Sequence, residues 1–217
     1  MCSSDLLEKT PVTAASVLAG FRYIWQNPVV LGAISLDLFA MLLGGVTALL
    51  PVYAKDVLDA GPWGLGLLRS APALGALVIS IALAHRQIEQ RVGHVLFMAV
   101  GAFGLSAVAF AFSTSIAVSM LALAVYGAAD AVSVVIRHSL VQTNTPNEML
   151  GRVLAVNSMF TGTSGTLGEF RAGAVAAMFG AFTSVLIGGA GAVPVALLWM
   201  RMFPEIARID KIEGSHS

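Results

Sequence analysis

Long apolar stretches alternate with short polar pieces along almost the whole chain. A helix needs about 20 apolar residues to cross a hydrocarbon core roughly 30 Å thick. Six stretches reach or approach that length, at 29–53, 64–84, 95–112, 116–136, 153–179 and 184–200. They are too long for β-strands and lack the alternation of a membrane-barrel strand. The pattern predicts an all-α, polytopic membrane protein with six spans, numbered here in that order.

The composition supports a membrane protein rather than a soluble one. Hydrophobic residues make up 57% of the chain and charged residues 11%, whereas soluble domains are about 45–50% apolar and about 25% charged. The 12 basic and 12 acidic residues balance, which argues against a nucleic-acid partner. One cysteine, Cys2, permits neither an intrachain disulfide nor a cysteine-based metal site. The four histidines lack ligand spacing and no catalytic motif occurs, so we expect no metal, no cofactor and no enzyme.

Basic residues mark one side of the membrane. In a six-span threading, nine lysines and arginines fall on a single side: Lys9, Arg22, Arg86, Arg91, Arg137, Arg152, Arg201, Arg208 and Lys211. The opposite side carries Lys55, with Arg69 just inside a helix. Because basic loops stay in the cytoplasm, both termini are predicted to be cytoplasmic.

The sequence divides into four parts around the spans. Residues 1–7 are expected to be a non-native or disordered start of a truncated reading frame, and 204–217 a cytoplasmic tail. Residues 8–28 are predicted to form an amphipathic linker helix on the cytoplasmic surface, with an apolar face of Val17, Leu18, Phe21, Ile24 and Trp25. The alternative is that this helix merely extends the first span. Residues 29–203 form the six-helix membrane part.

Charged residues are distributed unevenly among the spans. The first carries Asp37, the second Arg69, the fourth Asp130, and the fifth both Glu169 and Arg171, whereas the third and sixth carry none. Insertion of an ionised side chain at mid-membrane costs about 2.5–3.5 kcal/mol, so each of these residues is expected to have a structural or functional role. We therefore expect the third and sixth helices to face lipid and the other four to line something polar. Glu169 and Arg171 are two residues apart, point to nearly opposite faces and cannot neutralise one another.

Each of these charged residues has two possible interpretations, a structural role and a role in transport. Asp37 is either a proton- or substrate-binding carboxylate, or a structural acid bonded to a neighbouring helix or to a missing half. Asp130 is expected to pair with Arg137, seven residues further on, or with another helix. Arg69 lies near the outer end of its helix, where snorkelling to the surface competes with function.

Three segments carry a resemblance to a known family: GFRYIWQNPVVLGAISLDLFAMLLGG, LLPVYAKDVLDAGPWGLGLLRSAPALGAL and TPNEMLGRVLAVNSMF. They resemble the C-terminal half, helices seven to twelve, of a major facilitator superfamily (MFS) transporter. The chain is most similar to the bacterial enterobactin-exporter-like and drug-efflux members. The likeness covers nearly all of residues 8–210. It implies that the first, second, fourth and fifth helices contact the cavity or the other half, and that the third and sixth are peripheral.

Two cytoplasmic loops resemble motifs of the family. Gly-x-x-x-Asp-Arg-x-Gly-Arg-Arg is represented by HRQIEQRVGH, which keeps Arg91 and Gly93. Pro-x-Glu-x-Arg-Gly-Arg-Val is matched at Pro146, Glu148, Gly151, Arg152 and Val153. The resemblance thus supplies loop and gating candidates, which are Arg91, Gly93, Arg137, Gly151 and Arg152.

The resemblance implies secondary active transport, with proton-coupled export of small amphipathic molecules or siderophores across the bacterial inner membrane. Its partners would be the lipid bilayer, a missing N-terminal six-helix half, a small-molecule substrate and the proton. Protonation of Asp37 or Glu169 is the expected coupling event. Alternatives are an importer or lipid flippase on the same fold, a non-transporting six-helix scaffold, a membrane-embedded enzyme, or a homodimer of this fragment.

Overall fold

The computed structural model describes residues 14–85 and 91–209, with side chains from residue 17 onward. The predicted start at 1–7, the loop residue Arg86 and the tail beyond 209 lie outside the described residues. Within the described ranges every regular element is a helix. The elements are α1 Ala14–Gln26, α2 Pro28–Leu43, α3 Val46–Val52, a π-helical turn Tyr53–Val57, α4 Gly61–His85, α5 Val92–Ala111, α6 Ile116–Thr143, α7 Asn147–Phe179, α8 Ala181–Met202 and α9 Pro204–Ala207.

Five membrane-spanning candidates occur among the described residues, judged by length and apolar composition. They are Pro28–Val57, Gly61–His85, Val92–Ala111, Ile116–Thr143 and Ala181–Met202. These segments confirm the prediction of an all-α polytopic membrane protein. The fifth predicted span lies in α7, which has 33 residues. At about 1.5 Å per residue it is long enough to cross a bilayer, but its middle reads TGTSGTLGEFR and is far more polar than the other spans.

The predicted linker helix is separate from the first span. α1 ends at Gln26, and α2 begins at Pro28 with Asn27 as its N-cap, whose side chain accepts a hydrogen bond from the Val30 N–H. A proline in the first helical position suits this start, because it lacks the N–H that would otherwise be unsatisfied. α1 and α2 are thus two helices joined at Asn27 and do not form one continuous helix. Leu18 and Trp25 are each 67% exposed, which leaves an apolar surface on α1.

The first span is broken in its middle, whereas the sequence predicts a continuous helix over 29–53. α2 ends at Leu43, and α3 begins after Gly45, whose φ of 81° places it in the left-handed region. Glycine is required there for its conformation and because a Cβ would lie 2.9 Å from the Gly168 carbonyl oxygen of α7. The glycine pair therefore both breaks the helix and allows close packing against α7.

The charge-free third span is the most buried of the membrane-spanning candidates among the described residues. Of the most apolar 18-residue stretch of α5, 56% is buried within the chain, compared with 17% of the corresponding stretch of α4. α5 packs against α6 and α8, and Gly104 of α5 lies against Gly189 of α8. Small residues allow such close approach of helices in a membrane. The absence of charge from α5 thus reflects burial among neighbouring helices as much as exposure to lipid.

The buried apolar residues form two clusters, and the charged residues lie where the clusters meet. Leu36 and Ile136, the sequence neighbours of Asp37 and Arg137, belong to the cluster built around α2, α5 and the C-terminal part of α6. Ala129, next to Asp130, belongs to the cluster built around α3, α4 and the first half of α6. Asp37 and Arg137 therefore adjoin one apolar cluster along the chain, and Asp130 adjoins the other.

Candidate functional site

Asp37 of α2 is held by residues from two other helices. Its Oδ1 lies 2.7 Å from Nη2 of Arg137 on α6, and the two side chains are only 13% and 6% exposed. The Thr161 hydroxyl on α7 donates a hydrogen bond of 3.0 Å to Oδ2. Oδ1 receives no well-directed hydrogen bond from the described residues, so its contact with Arg137 is chiefly an attraction between charges. This geometry favours the alternative in which Asp37 bonds to neighbouring helices.

Arg137 lies between two carboxylates. Its Nη2 is 4.0 Å from Oδ1 of Asp130, whose side chain is 40% exposed. The expected pairing of Asp130 with Arg137 is present, but it is longer and more exposed than the pair with Asp37. Both ion pairs found among the described residues therefore share one arginine.

The pairing of Asp37 with Arg137 was missed at the sequence level, although depth could have indicated it. Asp37 lies nine residues inside the start of α2, and Arg137 lies six residues before the end of α6. At 1.5 Å per residue, these positions are about 13 Å and about 9 Å from the same side of the bundle. An arginine side chain easily spans that difference. Thr161 had no such signal, because several hydroxyl residues share its stretch.

A cavity of about 480 Å³ opens beside this cluster. It is lined by residues of all four charge-bearing spans and by one residue of α5. Its charged and aromatic lining residues are Asp37, Asp130, Arg137, Glu169, Phe103 and Tyr126. The rings of Phe103 and Tyr126 stack with centroids 4.1 Å apart. The structure thus brings together three of the five transport candidates, namely Asp37, Asp130 and Glu169.

A second cavity of about 150 Å³ lies on the other side of the ion pair. It is lined by Ala33, Ile34, Asp37, Met41, Val134, Arg137, His138, Val141, Asn157 and Thr161. Four of these residues, Asp37, Met41, Val134 and Arg137, also line the larger cavity. The ion pair therefore forms part of the wall between two spaces.

Arg171 binds the break in the first span. Its Nε donates to the Leu42 carbonyl oxygen at 3.0 Å, and its Nη2 donates to the carbonyl oxygens of Leu43 at 2.8 Å and Gly44 at 3.0 Å. The last carbonyls of a helix have no partner within the helix and are costly to leave unbonded inside a membrane. Arg171 lines neither cavity, so its geometry is that of a helix C-cap.

Arg69 and Glu169 are both exposed on the surface of the chain, but only Glu169 lines the larger cavity. Arg69 lies on α4 outside both cavities. This position agrees with a snorkelling arginine better than with one that lines a pathway.

Four of the five loop and gating candidates line neither cavity: Arg91, Gly93, Gly151 and Arg152. Arg91 is the N-cap of α5 with a φ of 55°, and the Gly93 N–H donates to the Ile209 carbonyl oxygen at 3.2 Å. A Cβ on Gly93 would overlap the backbone of α9, so this glycine serves close packing. Gly151 and Arg152 are both exposed, and the Arg152 carbonyl oxygen packs against α1. Among these candidates, Arg137 alone lines a cavity.

No group of three or more potential metal-ligating side chains occurs in the part of the chain that the structure describes.

Comparison with known proteins identifies the family. The family model described as Major Facilitator Superfamily matches residues 4–169. Enterobactin exporter EntS of Citrobacter koseri is 29% identical over 200 residues, covering 89% of this chain and 46% of that protein. Enterobactin exporters EntS of Salmonella typhimurium and of Escherichia coli O81 are each 27% identical over 200 residues with the same coverage. The chain spans about half the length of the curated relatives it matches.

Family membership agrees with two further expectations: the relatives are exporters rather than enzymes, and the apolar helices of this chain indicate a multi-pass membrane protein. A family model that covers most of the chain, similarity to exporters along nearly all of it, and a bundle of membrane-spanning helices lead to one assignment. The chain belongs to the Major Facilitator Superfamily.

Proposed function

We propose that this chain forms one half of a secondary active transporter that exports small amphipathic molecules or siderophores. The observation that carries the proposal is the cavity of about 480 Å³, which is lined by charged residues from three different spans. Ionisable residues inside a membrane usually face a cavity and mark a substrate or ion pathway. A scaffold would have little use for such an arrangement.

The siderophore class is suggested by the relatives, which are named enterobactin exporters. Because the chain corresponds to about half of their length, a second six-helix half would complete the transporter. The two halves would rock against each other around a site near the midplane. We place the protein in the bacterial inner membrane with both termini cytoplasmic, on the basis of the lysine and arginine distribution.

Proton coupling is the proposed energy source, with Asp37 and Glu169 as the proton-binding groups. Both carboxylates line the larger cavity. Neutralising Asp37 would weaken its attraction to Arg137, whereas a neutral carboxyl can still accept the hydrogen bond from Thr161. Proton binding would thus act on the contact between α2 and α6.

Asp37→Asn and Glu169→Gln in the protein encoded by the complete gene test this coupling. We expect at least one variant to lose export driven by a proton gradient in membrane vesicles while keeping its level in the membrane. Asp56→Asn is the matched control, because Asp56 is an exposed acid that lines neither cavity. Unchanged gradient-driven export in both variants would refute the proton coupling. Absence of export by the unsubstituted protein would refute the transport proposal itself.

A further inference from the structure

The two cavities follow the same order along each of the three helices that separate them. On α2, Ile34 lines the smaller cavity and Ala40 the larger one. On α7, Asn157 lines the smaller cavity and Glu169 the larger one. On α6 the smaller cavity is reached beyond Arg137 and the larger one before it. The cavities are thus stacked along the helix axes, with the Asp37–Arg137 pair at their boundary.

The boundary between the two cavities consists of four residues. Asp37, Met41, Val134 and Arg137 are the residues that line both spaces. Met41 follows Asp37 by four residues on α2, and Val134 precedes Arg137 by three on α6, so each helix contributes one charged and one apolar side chain on one face. An ion pair closed by two apolar neighbours can exclude water from the passage.

We propose that Arg137 is a gate residue: its ion pair with Asp37 closes the connection between the two cavities, and its release opens it. This inference rests on the proposed transport function and deepens it by naming the barrier within this half. The gate moves through rotation of a single long side chain, so it does not require the helices to separate.

The surroundings of Arg137 allow such a movement. Asp130 offers a second carboxylate, 4.0 Å from the same Nη2, on the side of the larger cavity. A guanidinium that leaves Asp37 therefore keeps a nearby negative charge and does not become an isolated buried cation. Asp130 is also more exposed than Asp37, so the open position is better hydrated.

Cysteine accessibility in the protein encoded by the complete gene tests the gate directly. Every cysteine of that protein is first replaced by serine; residues 8–217 contribute none. Ala76→Cys reports on the larger cavity and Asn157→Cys on the smaller one. The rate of alkylation by a membrane-impermeant maleimide, added to the cytoplasmic face of inverted vesicles, is the measurement.

We expect Asn157→Cys to react readily and Ala76→Cys slowly while the gate residue is intact. Arg137→Ala should raise the alkylation rate of Ala76→Cys by about tenfold, equivalent to about 1.4 kcal/mol, and leave that of Asn157→Cys nearly unchanged. Arg69→Ala is the matched control, since it removes an arginine of α4 outside both cavities. It should change neither rate.

Removal of Arg137 alone leaves the charge of Asp37 buried without its partner and can destabilise the protein. Asp37→Asn/Arg137→Ala therefore serves as a second variant, in which no unpaired charge is left at residue 37. Equal alkylation of the two reporters in the protein with Arg137 intact, or no acceleration in either gate variant, would overturn the gate. The assay uses neither substrate nor gradient, so a gate response without export would refute the transport function alone. Normal export without a gate response would refute the gate alone.

Discussion

Arg137 and Arg171 are two arginines within the same helix bundle, and the regions around them differ in what compensates the charge. Arg137 lies against the side-chain carboxylates of Asp37 and Asp130. Arg171 donates three hydrogen bonds to backbone carbonyls at the break of the first span. Arg137 lines both cavities, whereas Arg171 lines neither.

The difference separates interactions that can be switched from interactions that are permanent. A carboxylate gains a proton and loses its charge, so the contact between Asp37 and Arg137 can be weakened without unfolding anything. A backbone carbonyl does not titrate in this way, and the last carbonyls of α2 need a donor at all times inside a membrane. We therefore expect Arg137 to serve function and Arg171 to serve the fold.

The largest effect on stability is expected for Arg137→Ala. The substitution leaves the carboxylate of Asp37 buried without its cation, and breaking a buried ion pair in this way costs about 3–5 kcal/mol. The free energy of unfolding, measured by denaturant titration in detergent micelles, should fall by that amount.

The matched control replaces both members of the pair. In Asp37→Leu/Arg137→Met the buried charge is absent, and apolar replacement of a whole ion pair is often neutral. Its free energy of unfolding should lie near that of the unsubstituted protein, whereas gradient-driven export should be lost. If the double variant were as unstable as Arg137→Ala, the cost would come from packing rather than from charge.

A smaller loss is expected for Arg171→Met, which leaves three carbonyl oxygens without their donor. Hydrogen bonds from a charged group are worth about 1.5–3 kcal/mol, although those within membranes average about 0.6 kcal/mol each. We expect the free energy of unfolding to fall by about 2 kcal/mol. Arg171→Lys retains a charged donor and should recover part of this loss. A variant Arg171→Met with unchanged stability but no export would reverse the roles assigned to the two arginines.

The sequence predicted the helical class and the approximate spans, because apolar stretches of membrane length leave few other structures possible. It did not predict the break at Gly44 and Gly45. Hydropathy carries no information about backbone conformation. Two glycines inside an apolar stretch are compatible with close helix packing or with a left-handed turn. The carbonyl oxygens exposed by the break are bonded by Arg171, which lies more than a hundred residues away in the chain.

The candidate site was predicted in part. The number of charges per span singles out four spans, since each charge inside a membrane requires a polar environment. All four contribute to the lining of the larger cavity, together with Phe103 of α5. The same count could not distinguish Arg171, a helix cap, from Glu169, which faces the cavity. That distinction depends on the side of α7 that meets α2, and helix rotation is set by tertiary packing rather than by composition.

The smallest effect on stability is expected for Thr161→Val, which tests how finely Asp37 is positioned. Valine keeps the shape of threonine but cannot donate the 3.0 Å hydrogen bond to Oδ2. A single hydrogen bond between membrane helices is worth about 0.6 kcal/mol, with a maximum of about 1.7. The free energy of unfolding should fall by about 0.6 kcal/mol.

Export by Thr161→Val should respond more strongly than its stability, because a carboxylate without this anchor rotates away from the gate geometry. Thr163→Val is the matched control: its hydroxyl donates to the Met159 carbonyl oxygen within α7 and is exposed. Thr161→Ser, which retains a donor, should export normally. Equal export by the Val variants at 161 and 163 would show that the ion pair with Arg137 positions Asp37 without help from α7. In that case the interaction that protonation can switch would involve only α2 and α6. The contribution of α7 would then be the permanent hydrogen bonds that Arg171 donates to the break of the first span.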